Sequence, residues 1–261
     1  MIDLLSEYEL NFKQLFNMAI KIYKDNIKTF AFILFIIFFP ISLVLGVINQ
    51  FMVGSLMDIN FDVLARNIQN IGIEAFPKDY VLYNILYMVI KFFFEPLGLM
   101  AVTFVVLNYV YGKNINYKAA VSKSFEKGGL FLIGAFLYII LIFLGSVLVF
   151  PALYFGIACY FYPYSIIIDN SNPLSAILNS MKTVRRKWFK TLLYLIVIYI
   201  IQYGISNAFT YILSSIFGDS IFFASVVGNT AIAFINIVFY CTLSLLYINR
   251  MILIKKSEIL K

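Results

Sequence analysis

Lys91 and Glu95 are the charged residues that stand inside a long apolar run, four apart, so on a helix they share one face, with Pro96 next in the chain. Charge at that depth is costly, and two chemistries would repay it. One is a mutual ion pair that only neutralises both groups. The other is a site for an ion or a polar ligand. A span of about 20 residues counted back from Tyr111 reaches Phe92. Lys91 then belongs at the outer interface, where its stem can snorkel, with Glu95 about one turn deeper. A second constellation, Lys182, Arg185, Arg186 and Lys187 beside Trp188, joins basic groups to an interfacial aromatic. Such a cluster either holds anionic lipid headgroups, at about 1 kcal/mol per basic residue, or simply fixes orientation. Gln202, Ser206, Asn207, Asn229 and Asn236 could line a cavity or tie helices together by hydrogen bonds.

Other chemistry is excluded by what the chain lacks. It contains no histidine, which removes Ser-His-Asp and Cys-His nucleophilic centres and His-ligated metals. Cys159 and Cys241 are far apart, lie in apolar runs and have no CxxC partner, so they read as buried thiols. No Gly-rich phosphate loop is present. No cofactor is expected, and an enzyme is not.

The elements that position these groups are membrane spans. With 62% hydrophobic and 13% charged residues and a mean hydropathy of +0.92, the composition lies far from the roughly 25% charge of soluble domains. The apolar runs are Thr29–Gln50, Val81–Tyr111, Gly128–Asp169, Thr191–Leu213 and Ile221–Ile248. The third is twice the length of a span and carries Pro151 near its middle, so it divides in two. The expectation is an all-α integral membrane protein with six transmembrane helices arranged as three hairpins. The polar, periodic N-terminus does not read as a signal peptide.

Seventeen of the twenty Lys and Arg residues fall before the first span, between the second and third, between the fourth and fifth, or after the sixth. The positive-inside rule therefore places both termini in the cytoplasm. The net charge of +7 follows this rule, so nucleic acid is a poor partner. The opposite loop, 58–80, is acidic and is the sizeable external surface. Phe51–Met57 and Val81–Ile90 exceed what a bilayer needs and should project with it.

Three amphipathic segments, near residues 5–28, 114–127 and 172–188, are expected to lie flat in the cytoplasmic interface, apolar side among the acyl chains. Each leads into a hairpin, giving a faint threefold repeat that starts near Asn11, Asn116 and Asn172. The chain thus reads as one membrane domain, 1–261. Residues 1–28 form an interfacial helix and 29–111 the first hairpin. Residues 112–169 form an interfacial helix and the second hairpin, and 170–261 an interfacial helix, the third hairpin and a basic tail.

One stretch carries a family likeness. Tyr160-Phe161-Tyr162-Pro163-Tyr164 is followed by Ile166-Ile167-Ile168-Asp169-Asn170, then Asn172-Pro173-Leu174-Ser175-Ala176, and finally Lys187-Trp188-Phe189. This order resembles the membrane domain fused to some bacterial glycerophosphoryl diester phosphodiesterases, and its stand-alone relatives. Ala19–Lys28 followed by Phe39-Pro40 is also similar. The resemblance implies a bacterial cytoplasmic membrane setting and this architecture. It implies no hydrolysis, because the catalytic domain and its histidines are absent. The functional expectation is a non-enzymatic protein that binds or moves lipid-like or amphipathic molecules. Lys91 and Glu95 would stand at the outer mouth of a cavity between the hairpins, and Arg185, Arg186 and Trp188 at its inner rim. The alternative is a scaffold or permease subunit for a protein partner.

Overall fold

A computed structural model describes residues 1–57, 66, 69, 72–218 and 220–259, with backbone alone at 73, 74 and 214. Its regular elements, among those residues, are helices. They are α1 (Ile2–Glu7), α2 (Phe12–Asp25), α3 (Ile27–Gly54), a 3-10 turn at Gly72–Ala75, α4 (Lys78–Val110), α5 (Tyr117–Ser146), α6 (Phe150–Ala158), α7 (Tyr162–Ile168), α8 (Pro173–Arg185), α9 (Trp188–Phe217) and α10 (Ile221–Ile259). Six stretches are long and apolar enough to cross a membrane: α3, α4, α5, α6 with α7, α9 and α10. The protein is an all-α, multi-pass membrane protein. Much of the acidic loop expected at 58–80, including Asp58 and Asp62, lies outside the described residues, as does Asp219.

The three asparagines that open the repeat are all helix N-caps. Asn11 accepts the Gln14 N–H at 2.9 Å while Gln14 returns its side-chain oxygen to the Asn11 N–H, a capping box. Asn116 accepts the Lys118 N–H at 2.9 Å, and Asn172 accepts the Ser175 N–H at 2.8 Å with Pro173 at the first helical position. Two local irregularities shape the spans. Pro40 has no N–H for the carbonyl one turn back, and the ladder of α3 widens to π register over Leu34–Phe38 just before it. The fourth span is broken at Cys159–Phe161. Ser180 of α8 repairs the break, accepting the Phe161 N–H at 3.0 Å and donating to the Ala158 carbonyl at 2.7 Å. Broken helices survive at membrane depth only where protein groups satisfy the freed backbone in this way.

The axis of the bundle is α10. Every residue from Phe239 to Arg250 is buried, so this stretch of the helix is enclosed on all sides. Its partners are α3, α4, α9 and, unexpectedly, α2. Leu15, Ala19 and Ile22 of α2 have no exposure, and Phe16 and Tyr23 set their rings 6.0 and 5.4 Å from Phe239 and Phe234. The apolar face of the first amphipathic helix is therefore spent on protein, not on acyl chains. The second amphipathic segment also departs from expectation, because 117–127 is the first part of unbroken α5. No proline interrupts it, and Gly128 keeps helical geometry while letting Leu97 of α4 approach to 3.3 Å of where a Cβ would stand. The third, α8, is a separate helix as expected, but it turns Ala176, Ile177 and Val184 inward. α1 and the last turns of α10 meet at one end of the bundle, where the Lys256 ammonium donates to the Ser6 carbonyl at 3.2 Å.

Candidate functional site

The residues expected at the two ends of a single cavity line separate concavities instead. The larger, about 910 Å³, opens between α3, α4, α9 and α10, with Tyr160 reaching in from the break in the fourth span. Lys91 and Glu95 both line it, one turn apart on α4, yet they form no ion pair with each other. The Glu95 carboxylate instead accepts the Tyr240 hydroxyl of α10 at 2.9 Å. The i,i+4 ion-pair expectation is thus corrected: a buried phenol across the helix interface meets Glu95, and Lys91, on an exposed turn, keeps its ammonium free for the cavity. One turn before Tyr240, Asn236 accepts from the Gln202 amide at 3.1 Å, and near the α3 end Asn49 donates to Ser225 at 2.6 Å. The walls between these polar groups are apolar, including Met52, Met88, Phe92 and Ile198. Gln202, Ser206 and Asn236 line the cavity as the sequence allowed, and Asn229 lines a small recess beside it with Lys91 and Glu95. Asn207 donates to its own helix at the Tyr203 carbonyl and takes no part.

A separate concavity, about 320 Å³, lies at the end of the bundle where α1 meets the last turns of α10. Lys182, Arg185, Arg186 and Lys187 line it as a group, but Trp188 does not. The Trp188 indole stacks on Tyr154 at 6.4 Å and donates to the Tyr154 carbonyl at 3.4 Å, so α6 claims it for packing. Two residues that the sequence left unremarked organise this pocket. Glu9, in the link between α1 and α2, receives Arg250 Nε at 3.3 Å and the ammoniums of Lys187 and Lys190 at 3.2 Å each. Arg250 is 4% exposed; its Nη1 donates to Thr191 Oγ1 at 2.6 Å and to the Thr183 carbonyl at 3.4 Å, while Nη2 has no partner. Burial pushes the Glu9 carboxyl up, but Arg250, Lys190 and Lys187 together outweigh it and hold the group below the usual carboxylate range. The signal for Arg250 was in the chain, since it closes the apolar run that ends at Ile248. Nothing local marked Glu9, which meets its partner across 241 positions.

A third polar knot sits on the turn after α7. Asp169 accepts the Tyr247 hydroxyl at 2.5 Å and pairs with Lys255 at 3.6 Å, while Asn179 donates to Ser165 and Ser171. Asn170 beside it takes the left-handed conformation, φ 51°, that asparagine tolerates best after glycine. These bonds fasten the α7–α8 turn to α10, so the Ile168-Asp169-Asn170 motif reads as a structural clasp.

Comparison with curated proteins and with solved structures returns no match. The family described as Domain of unknown function (DUF7847) matches residues 10–248, from just before the Asn11 cap to two residues short of the end of the buried stretch of α10. The first two hairpins, both halves of the broken span and the third hairpin as far as Ile248 fall inside that match, and the chain belongs to this family.

Proposed function

We propose that the protein binds, or moves, lipid-like or amphipathic molecules in the cavity between α3, α4, α9 and α10, without catalysing a reaction. The observation that carries this reading is the wall composition. A free ammonium at Lys91 and the Glu95–Tyr240 and Gln202–Asn236 pairs sit among Met, Phe and Ile side chains in a space of about 910 Å³. Such a space falls in the range of small-molecule sites, and its mix of polar and apolar walls suits a ligand with a polar head and a hydrocarbon body. A placement in a bacterial cytoplasmic membrane with both termini in the cytoplasm belongs to the same proposal, supported by the distribution of Lys and Arg. So does kinship with the phosphodiesterase-associated membrane domains.

Native mass spectrometry of the purified protein tests the reading. The expected spectrum shows one amphiphile retained per chain, lost in the filled-cavity variant Met88→Trp with Ser206→Trp. Retention unaffected by that variant would overturn the site. A ligand-free protein that captures a protein partner instead would favour the scaffold role.

A further inference from the structure

We propose that the pocket at the terminal end of the bundle is a binding site for a phosphate-bearing anion, with Arg250 at its base and Lys182, Arg185 and Arg186 at its rim. This does not rest on the amphiphile reading, because the two concavities share no lining residue. The argument begins with an imbalance. Five bases line the pocket (Lys182, Arg185, Arg186, Lys187 and Arg250) against two acids, Glu9 and Glu258. Glu9 is shared between Arg250, Lys187 and Lys190, and among the described residues Lys182, Arg185 and Arg186 have no carboxylate within ion-pair distance.

The second observation is the guanidinium of Arg250. A carboxylate or phosphate met in fork geometry takes both Nε and Nη2. Glu9 takes only Nε, its second oxygen being drawn away to Lys187, so Nη2 is buried without an acceptor. A buried charged donor left unpaired is costly and rare in folded proteins, and on a residue that lines a basic pocket it is a donor available to the oxygen of an anion. A single carboxylate would leave much of the excess positive charge in place. A phosphate monoester brings about two negative charges and three strong acceptor oxygens, enough for Nη2 and two rim residues at once. Leu253 and Ile254 add an apolar wall on α10 that suits the carbon skeleton of an ester. The oxygens have two sources, the headgroup of a membrane phospholipid or a free phosphate compound.

The full chain in phosphatidylcholine nanodiscs separates the sources. One arm titrates inorganic phosphate by calorimetry, and the other adds phosphatidic acid to the nanodisc and counts retained lipid by native mass spectrometry. Saturable binding of one equivalent in either arm is expected, and the arm that shows it names the source. The variant Arg185→Gln with Arg186→Gln alters exposed side chains only and should weaken that binding about tenfold or more. Lys13→Gln with Lys21→Gln removes the same charge from exposed positions of α2 and should leave binding intact. Equal weakening by both pairs would reduce the effect to general surface charge and overturn the site. So would the absence of saturable binding in both arms.

Discussion

Asn249 is the residue through which α10 holds the N-terminal segment, and its removal has a calculable cost. It has no exposure, and its side chain makes three hydrogen bonds to backbone across more than 230 positions. Its oxygen accepts the Leu10 N–H at 3.0 Å, and its amide donates to the Leu5 and Tyr8 carbonyls at 2.8 and 3.0 Å. Asn249→Ala orphans all three backbone groups. Each buried, unsatisfied group costs about 1–3 kcal/mol, so the simple sum reaches about 3–9 kcal/mol. The segment need not bear all of that, because residues 1–10 can open locally and meet water, which caps the loss. The net expectation is about 2–4 kcal/mol of local stability, a factor of about 30 to 700 in the opening equilibrium. Amide hydrogen exchange of the full chain in nanodiscs reads this directly. Protection of residues 5–10 should fall by that factor, while amides in the buried stretch 239–248 change little. Unchanged protection at Leu10, or an equal fall throughout α10, would refute the idea that Asn249 is a local clasp.

Three further outcomes follow from the same geometry. Gly98→Ala would place a Cβ 2.1 Å from Phe38 Cζ, and the Phe38 ring, 3% exposed, has little room to turn. The expected loss is about 1–3 kcal/mol in denaturant unfolding, against little or no loss for Gly129→Ala or Gly204→Ala, where the space is open. Because the Glu9 carboxyl is held below its usual value, its ion pairs stabilise the fold above the unfolded pKa and fail as pH falls through the lowered one. The melting-temperature gap between wild type and Glu9→Gln should hold steady near neutrality and close in acid; a gap that ignores pH would contradict the pairing. Finally, a double-mutant cycle on Gln202 and Asn236, replaced by Leu, should return a coupling of about 0.6 kcal/mol, typical of a hydrogen bond between membrane helices. Zero coupling would mean that the two amides do not meet.

How much of this was legible in the chain divides along a physical line. Membrane class, the number of spans and their approximate ends depend on comparing the length of an apolar run with the thickness of a bilayer, and both are readable from consecutive residues. The helix start at Asn172 was legible for the same reason, since an N-cap satisfies donors two or three residues away; Asn11 and Asn116 marked only the rough starts of the repeat, and the first helix, expected from residue 5, begins after the Asn11 cap. Candidate polar residues could be named, because a charge inside an apolar run stands out wherever it will end up. Their partners could not. Glu95 had Lys91 one turn away, yet its hydrogen bond comes from Tyr240, 145 positions distant. Arg250 found Glu9, and Ser180 found the break in the fourth span, through neighbours that only the packing of the bundle brings together. The periodicity of α2 announced an apolar face but not what would cover it, since lipid and the flank of α10 reward the same residues equally well. Sequence alone therefore determined which segments leave water, because that depends on each segment's own composition. The tertiary structure decided which groups meet once they have left, because helix faces choose one another by shape and by the polar atoms left to satisfy.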